Sequence, residues 1–229
     1  MLIQDSHGRT DGNSGYSRLL GNQELGNLIS RVQSTVISNG NELERLILER
    51  CKSVVDLDDF FVKVMSDVIP DGIYVCTKKL FRKSKVYCTD QIKNIEPDLI
   101  ILSLEKGKNE CYIVELKDGD AFDTKKSQGE YENLSRFSLY FGARIPFITN
   151  FYICSFNQSN KDIIYNGFKK KFSYEHILTG EELCYMLKIH YREIIDIRKR
   201  DAEQNFNYFI SELLKIKEVY NRIKQLSSV

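Results

Sequence analysis

The chain has 229 residues, 42% of them hydrophobic and 28% charged, with 33 Lys and Arg against 32 Asp and Glu. That length and balance describe one large folded domain, or one domain with a helical extension, and exclude a mostly disordered or collagen-like chain. A net charge of +1 confines any nucleic-acid surface to a local patch. Cysteines 51, 76, 88, 111, 154 and 184 lie far apart with no C-x-x-C among them. Free thiols in a reducing cytosol are therefore expected, not a zinc ribbon or a redox pair. No apolar run approaches the roughly 20 residues of a membrane span. Residues 1–5 lack the basic and apolar regions of a signal peptide, so a cytoplasmic location is expected.

Residues 5–15 are polar and carry three glycines; a flexible arm is expected over residues 1–22, ahead of a single domain over 23–229. Leu25, Leu28, Ile29, Val32, Val36 and Ile37 recur at helical spacing, and Asn39-Gly40 is predicted to end that helix. Asn41 then caps a second helix, with Glu44 in the capping-box position and Leu43, Leu46 and Ile47 on its apolar face. Asp56 caps a third, carrying Phe60, Phe61, Val64, Met65 and Val68, and Pro70-Asp71-Gly72 turns the chain. Residues 73–77, 86–89, 98–104, 111–117 and 145–156 are rich in β-branched or aromatic side chains and are predicted as strands. Between the last two, residues 124–141 read as a helix with Tyr131, Leu134, Phe137, Ser138 and Phe141 on one face. After Phe156 the pattern is helical, with a capping box at Thr179 and Glu182 and one long amphipathic helix over 201–225. The order predicts an α/β fold: a central mixed β-sheet flanked by helices, with helical N- and C-terminal segments.

The stretch that carries chemistry runs from Pro97-Asp98 through two apolar strands to Glu115-Leu116-Lys117. Glu115 and Lys117 are two apart on a strand and share a face. Gly107 and Asn109 suit a hairpin turn. With that turn centred between Gly107 and Lys108, Asp98 lies opposite Lys117 and diagonal to Glu115, at about 7–8 Å. Two carboxylates at that range can share one hard cation such as magnesium, and a lysine beside them can hold the attacking water. The same letters also fit a solvated strand end, and spacing alone leaves both readings open.

Pro97-Asp98 with Glu115-Leu116-Lys117 resembles the PD-(D/E)XK signature of type II restriction endonucleases. The run over residues 118–126 and the helix entry over residues 39–44 are similar to segments of such enzymes. The resemblance implies Mg2+-dependent cleavage of double-stranded DNA at a short site, leaving 5′-phosphate and 3′-hydroxyl ends. It implies Asp98 and Glu115 as metal ligands, the Leu116 carbonyl as a further ligand and Lys117 as the catalytic lysine. A helix glutamate is also implied: Glu44, with Glu42 and Glu49 as rivals. A homodimer matching two-fold DNA symmetry and a cognate DNA methyltransferase are the expected partners. A repair or recombination nuclease of the same fold is the first alternative, and a non-catalytic binding module the second.

Candidate DNA contacts lie nearby. Lys125, Lys126 and Gln128 open the crossover helix, where a helix N-terminus favours phosphate, and Arg136 follows two turns on. Lys78, Lys79, Arg82, Lys83 and Lys85 put five cations in eight residues, suited to a hairpin that tracks phosphates and equally to a solvated loop. No EF-hand spacing, H-E-x-x-H, G-x-S-x-G elbow or Walker loop is present.

Overall fold

A computed structural model describes residues 1–8, 15–87, 90–105 and 107–228. A 3-10 turn at Ile3–Asp5 precedes helices α1 (Gly15–Leu20) and α2 (Gln23–Leu48). Then come β1 (Lys52–Ser53), α3 (Leu57–Met65), β2 (Gly72–Cys76), α4 (Lys78–Phe81), β3 (Leu99–Glu105), β4 (Lys108–Lys117) and α5 (Thr124–Gly142). The remainder is β5 (Ile148–Ser155), α6 (Lys161–Gly167), β6 (Ile177–Thr179), α7 (Gly180–Leu187), α8 (Tyr191–Lys215) and α9 (Lys217–Leu226). The chain divides into two compact units, residues 1–43 with 192–229 and residues 44–191.

The 44–191 unit holds a six-stranded mixed sheet in the order β1-β2-β3-β4-β5-β6. The β2-β3-β4 meander is antiparallel, and β1, β5 and β6 join it in parallel. Parallel neighbours need crossovers, which α3, α5 and α6 supply. The fold is α/β, a mixed sheet flanked by helices, as the element order predicts. One face is closed by an aromatic cluster: Phe81 from α4 lies 5.1 Å from Phe137 and 5.3 Å from Phe141, ring centre to ring centre. Each of these rings is essentially fully buried, worth roughly 1.5–3 kcal/mol per side chain. Ile100, Ile113 and Ile153 join that cluster from the strands, while Leu99, Ile101, Val114 and Cys154 alternate with them and are buried on the other face.

In the unit of residues 1–43 and 192–229, residues 1–8 are tied down at several points. Arg31 donates to the carbonyls of Ile3, Gln4 and Ser6. The Met1 amine pairs with Asp201, and Ile3 N–H donates to Asn205 Oδ1 at 2.7 Å. Of the expected arm, residues 9–14 lie outside the described residues.

Several boundaries differ from expectation. Helix α2 runs unbroken through Asn39-Gly40, so Asn41 caps nothing; burial of Leu43, Leu46 and Ile47 outweighs the roughly 1 kcal/mol a mid-helix glycine costs. Of the strand expected over residues 86–89, Lys85–Tyr87 is a 3-10 turn and residues 88 and 89 lie outside the described residues. Lys78, Lys79, Arg82, Lys83 and Lys85 do not form a hairpin: the first two lie on α4, Lys85 on that 3-10 turn, and Arg82 and Lys83 in the turn between them. The segment after Phe156 is not all helix: Ile177–Thr179 extends the sheet beside β5. The C-terminal helix breaks at Ile216, whose backbone is extended. Asp56 and the Thr179–Glu182 capping box act as predicted. Among the described residues five cysteines are free, four of them buried, and no helix is long and apolar enough to cross a membrane.

Candidate active site

The β3–β4 hairpin places the acids. Its pairs run from Leu99↔Val114 to Glu105↔Lys108, so the connection is the two residues 106 and 107, with Gly107 at φ +74°. Only glycine takes that conformation without strain. Partners therefore sum to 213 and not 215: continued one step, the register sets Asp98 opposite Glu115 rather than Lys117. The correction moves each partner by two residues, so every side chain keeps its face.

At the open end of the hairpin the three side chains meet. Asp98 Oδ2 accepts from Leu116 N–H at 2.7 Å. Lys117 Nζ donates to Glu115 Oε1 at 2.6 Å and to Glu130 Oε1 on α5 at 2.7 Å. Lys78 Nζ from α4 donates to Asp98 Oδ1 at 2.5 Å and lies 3.3 Å from Glu44 Oε2 near the end of α2. The contacts make two neighbouring groups, Lys78 with Asp98 and Glu44 and Lys117 with Glu115 and Glu130, and Asp98 lies near enough to Glu115 to act on its carboxyl. The acid side chains are only 15–21% exposed. Groups so buried cost several kcal/mol each unless paired or bound to metal. Burial, with Asp98 as the next cause, lifts the Glu115 carboxyl from its ordinary 4.5 to about 7. Burial also raises Glu44, although Lys78 opposes it.

Glu130 is the member that motif reasoning misses. Its signal is visible afterwards: it interrupts the inward stripe of α5 formed by Ser127, Leu134, Phe137 and Phe141, which are all buried. Lys78 is a second reassignment in place, at the acids and not beside its exposed neighbours. Lys79, Lys83 and Lys85 are exposed, and Arg82 pairs with Glu96. On α5, Lys125, Lys126 and Arg136 are exposed. Lys126 Nζ lies 5.1 Å from the Phe122 ring centre, and Gln128 donates to Glu132. Of the rival helix glutamates, Glu49 pairs with Arg45, and Glu42 lies in the other unit, 3.8 Å from the Met1 amine.

The donor set suits a hard divalent cation. Among the described residues no three His, Cys, Asp or Glu side chains are grouped closely enough to hold a metal by themselves. Magnesium needs only one or two carboxylates and keeps several waters. Glu115, whose carboxyl leans toward its proton because of burial and the neighbouring Asp98 although Lys117 opposes this, is an acid that a cation would favour.

The Glu115 shift has a testable sign. Its folded-state pKa is raised, so its contribution to stability is full below 4.5 and is lost as pH rises through about 7. Without metal, the melting temperature is expected to fall between about pH 5.5 and about pH 8, and Glu115→Gln to remove this part of the fall. Magnesium should accordingly raise the melting temperature more at the higher pH, where it need not displace a proton. Scanning calorimetry checks both; an equal Mg2+ effect at the two pH values would contradict the sign.

The mixed six-stranded sheet with flanking helices is an α/β fold consistent with a restriction endonuclease. Over 224 residues, 97% of this chain and 98% of the other, the sequence is 56% identical to the type II restriction enzyme HhaII of Haemophilus parahaemolyticus. The chain belongs to the type II restriction enzymes. No family model matches the sequence, and no solved structure matches the fold.

Proposed function

We propose that this protein is a Mg2+-dependent endonuclease that cuts both strands of double-stranded DNA at a specific short site, leaving 5′-phosphate and 3′-hydroxyl ends. The observation that carries the reading is that Asp98, bonded to the Leu116 N–H and close enough to act on the Glu115 carboxyl, stands at the same hairpin end as the Glu115–Lys117 pair, in a chain of this family. Asp98 and Glu115, with the Leu116 carbonyl, are the proposed cation ligands, and Glu44 completes the ring of acids. Held by these residues, a magnesium ion would supply positive charge to the reacting phosphate and make water a better nucleophile at neutral pH. The Lys117 ammonium has three N–H donors. Two are held by Glu115 and Glu130, and the third can orient the attacking water or steady a phosphate oxygen as negative charge develops.

Lys125, Lys126, Gln128 and Arg136 on α5, with Lys79, Arg82, Lys83 and Lys85 on and just after α4, are proposed as DNA contacts, supported by the exposure of all but the half-buried Gln128. Such contacts position the duplex and set affinity; base edges set the sequence. Homodimerisation is proposed to match two-fold DNA symmetry. Exposed Phe206, Tyr220 and Leu226 on α8 and α9 support an apolar surface for it. A DNA methyltransferase protecting the host genome is the proposed genetic partner, and the cytoplasm the proposed site of action.

Plasmid digestion tests the reading. Discrete fragments are expected with Mg2+ and none with excess chelator. A smear would favour a nuclease without sequence preference, and intact plasmid in Mg2+ would refute the activity.

A further inference from the structure

Both oxygens of Asp98 are engaged within the chain. Oδ2 takes the Leu116 N–H and Oδ1 takes the Lys78 ammonium. The two donors differ in freedom. Leu116 is a strand residue of β4, while Lys78 reaches in on a flexible four-carbon stem. A divalent ion on Asp98 would sit about 2.1 Å from a carboxylate oxygen. An ammonium 2.5 Å from Oδ1 leaves no room there for a dication without bringing three positive charges into contact. One of the two cations must leave, and a second acid, Glu44, already stands 3.3 Å from the lysine nitrogen.

We propose that Lys78 is a built-in counter-ion of the cation site: its ammonium occupies Asp98 Oδ1 until the divalent ion arrives, and then passes to Glu44. The inference rests on the reading of Asp98 as a cation ligand. It separates Lys78 from the exposed lysines that follow it, and gives Glu44 a task distinct from direct ligation. While the site lacks its ion, the ammonium keeps two largely buried acids from facing each other unneutralised. In exchange it lowers the affinity for the ion. Lys78 is thus a positioning residue, and its removal should tighten cation binding, which loss of a purely structural salt bridge would not do.

Isothermal titration of MgCl2 into the full chain without DNA reads this directly. Lys78→Ala is expected to bind Mg2+ about tenfold more tightly than wild type, within the usual range of coupling between two sites. Lys78→Arg, which keeps the charge, should stay near wild type, and Asp98→Ala should lose the site. If Lys78→Ala binds equally or more weakly while Asp98→Ala abolishes binding, the counter-ion role is overturned and the cation site stands. If wild type and Asp98→Ala bind Mg2+ alike, the site reading fails and the counter-ion role with it. A second measurement needs no substitution: reductive methylation of the wild-type chain, read by peptide mass spectrometry. Labelling of Lys78 is expected to rise severalfold on adding Mg2+ while that of Lys125 does not change; equal labelling of Lys78 overturns the proposal.

Discussion

Replacement of Lys117 by alanine is expected to slow DNA cleavage by about 10²–10³-fold, the usual consequence of removing one donor from a developing negative charge. DNA binding without Mg2+ should change little. The reason lies in how the ammonium is held. Glu115 and Glu130 grip it from a strand and a helix at 2.6 and 2.7 Å, so its remaining donor is aimed before substrate arrives. Neither acid can supply the positive charge that leaves with it. Alanine also leaves Glu115 and Glu130 without their shared cation, and the Glu115 carboxyl, already raised, should hold its proton more firmly. Gel shift without metal and plasmid nicking with Mg2+ separate the two effects. Nicking at the wild-type rate would show that Lys117 has no catalytic part.

The second large effect is expected at a residue remote from the chemistry. A Cβ on Gly167, at the end of α6, would stand 1.6 Å from the carbonyl oxygen of Asp120. That oxygen is main chain and cannot rotate away. Gly167 O also accepts from Phe122 N–H at 3.1 Å, so helix end and loop are clamped together. The loop over residues 118–123 joins Lys117 to the helix bearing Glu130, and three more bonds pin it: Ser155 Oγ to Gly119 O at 2.8 Å, Asn157 Nδ2 to Asp118 O at 3.0 Å, and Gln158 Nε2 to Asp120 Oδ2 at 2.8 Å. Gly167→Ala should therefore cost about 3 kcal/mol, or about 6–12 °C in melting temperature. Cleavage should fall even where the variant is fully folded, because the loop spaces Lys117 from Glu130. Gly129→Ala, whose Cβ meets nothing within 4 Å, is the control and should not destabilise. A melting temperature for Gly167→Ala equal to wild type would show that the loop yields freely.

What could be read from the residues alone was mostly what depends on short-range pattern. The sharing of one face by Asp98, Glu115 and Lys117 follows from strand alternation, and it survived a misplaced turn because an even shift preserves faces. The turn itself hung on whether Gly107 comes first or second in the two-residue connection. Pattern failed where distant packing decides. Gly40 looks like a helix end, yet Leu43, Leu46 and Ile47 draw α2 onward into the core. Ile177–Thr179 is too short to declare itself as a strand, and Thr179 advertises a helix start at the same moment that it pairs with Ser155. Nothing local distinguishes Lys78 from its basic neighbours. Its separation comes from Asp98, 20 residues away in sequence.

The order of strands across the sheet is also their order along the chain. Each strand after the first finds its partner already synthesised, and no later segment must be threaded between two earlier ones. The sheet can therefore be laid down edgewise as the nascent polypeptide emerges, N-terminal parts first. The hairpin bearing Asp98, Glu115 and Lys117 is complete before β5 and β6 exist, while Glu130 and the clamp at Gly167 arrive afterwards. Birth order thus separates the placing of the reactive groups from their locking, and a growing chain does not carry the finished constellation until the crossover helix has docked.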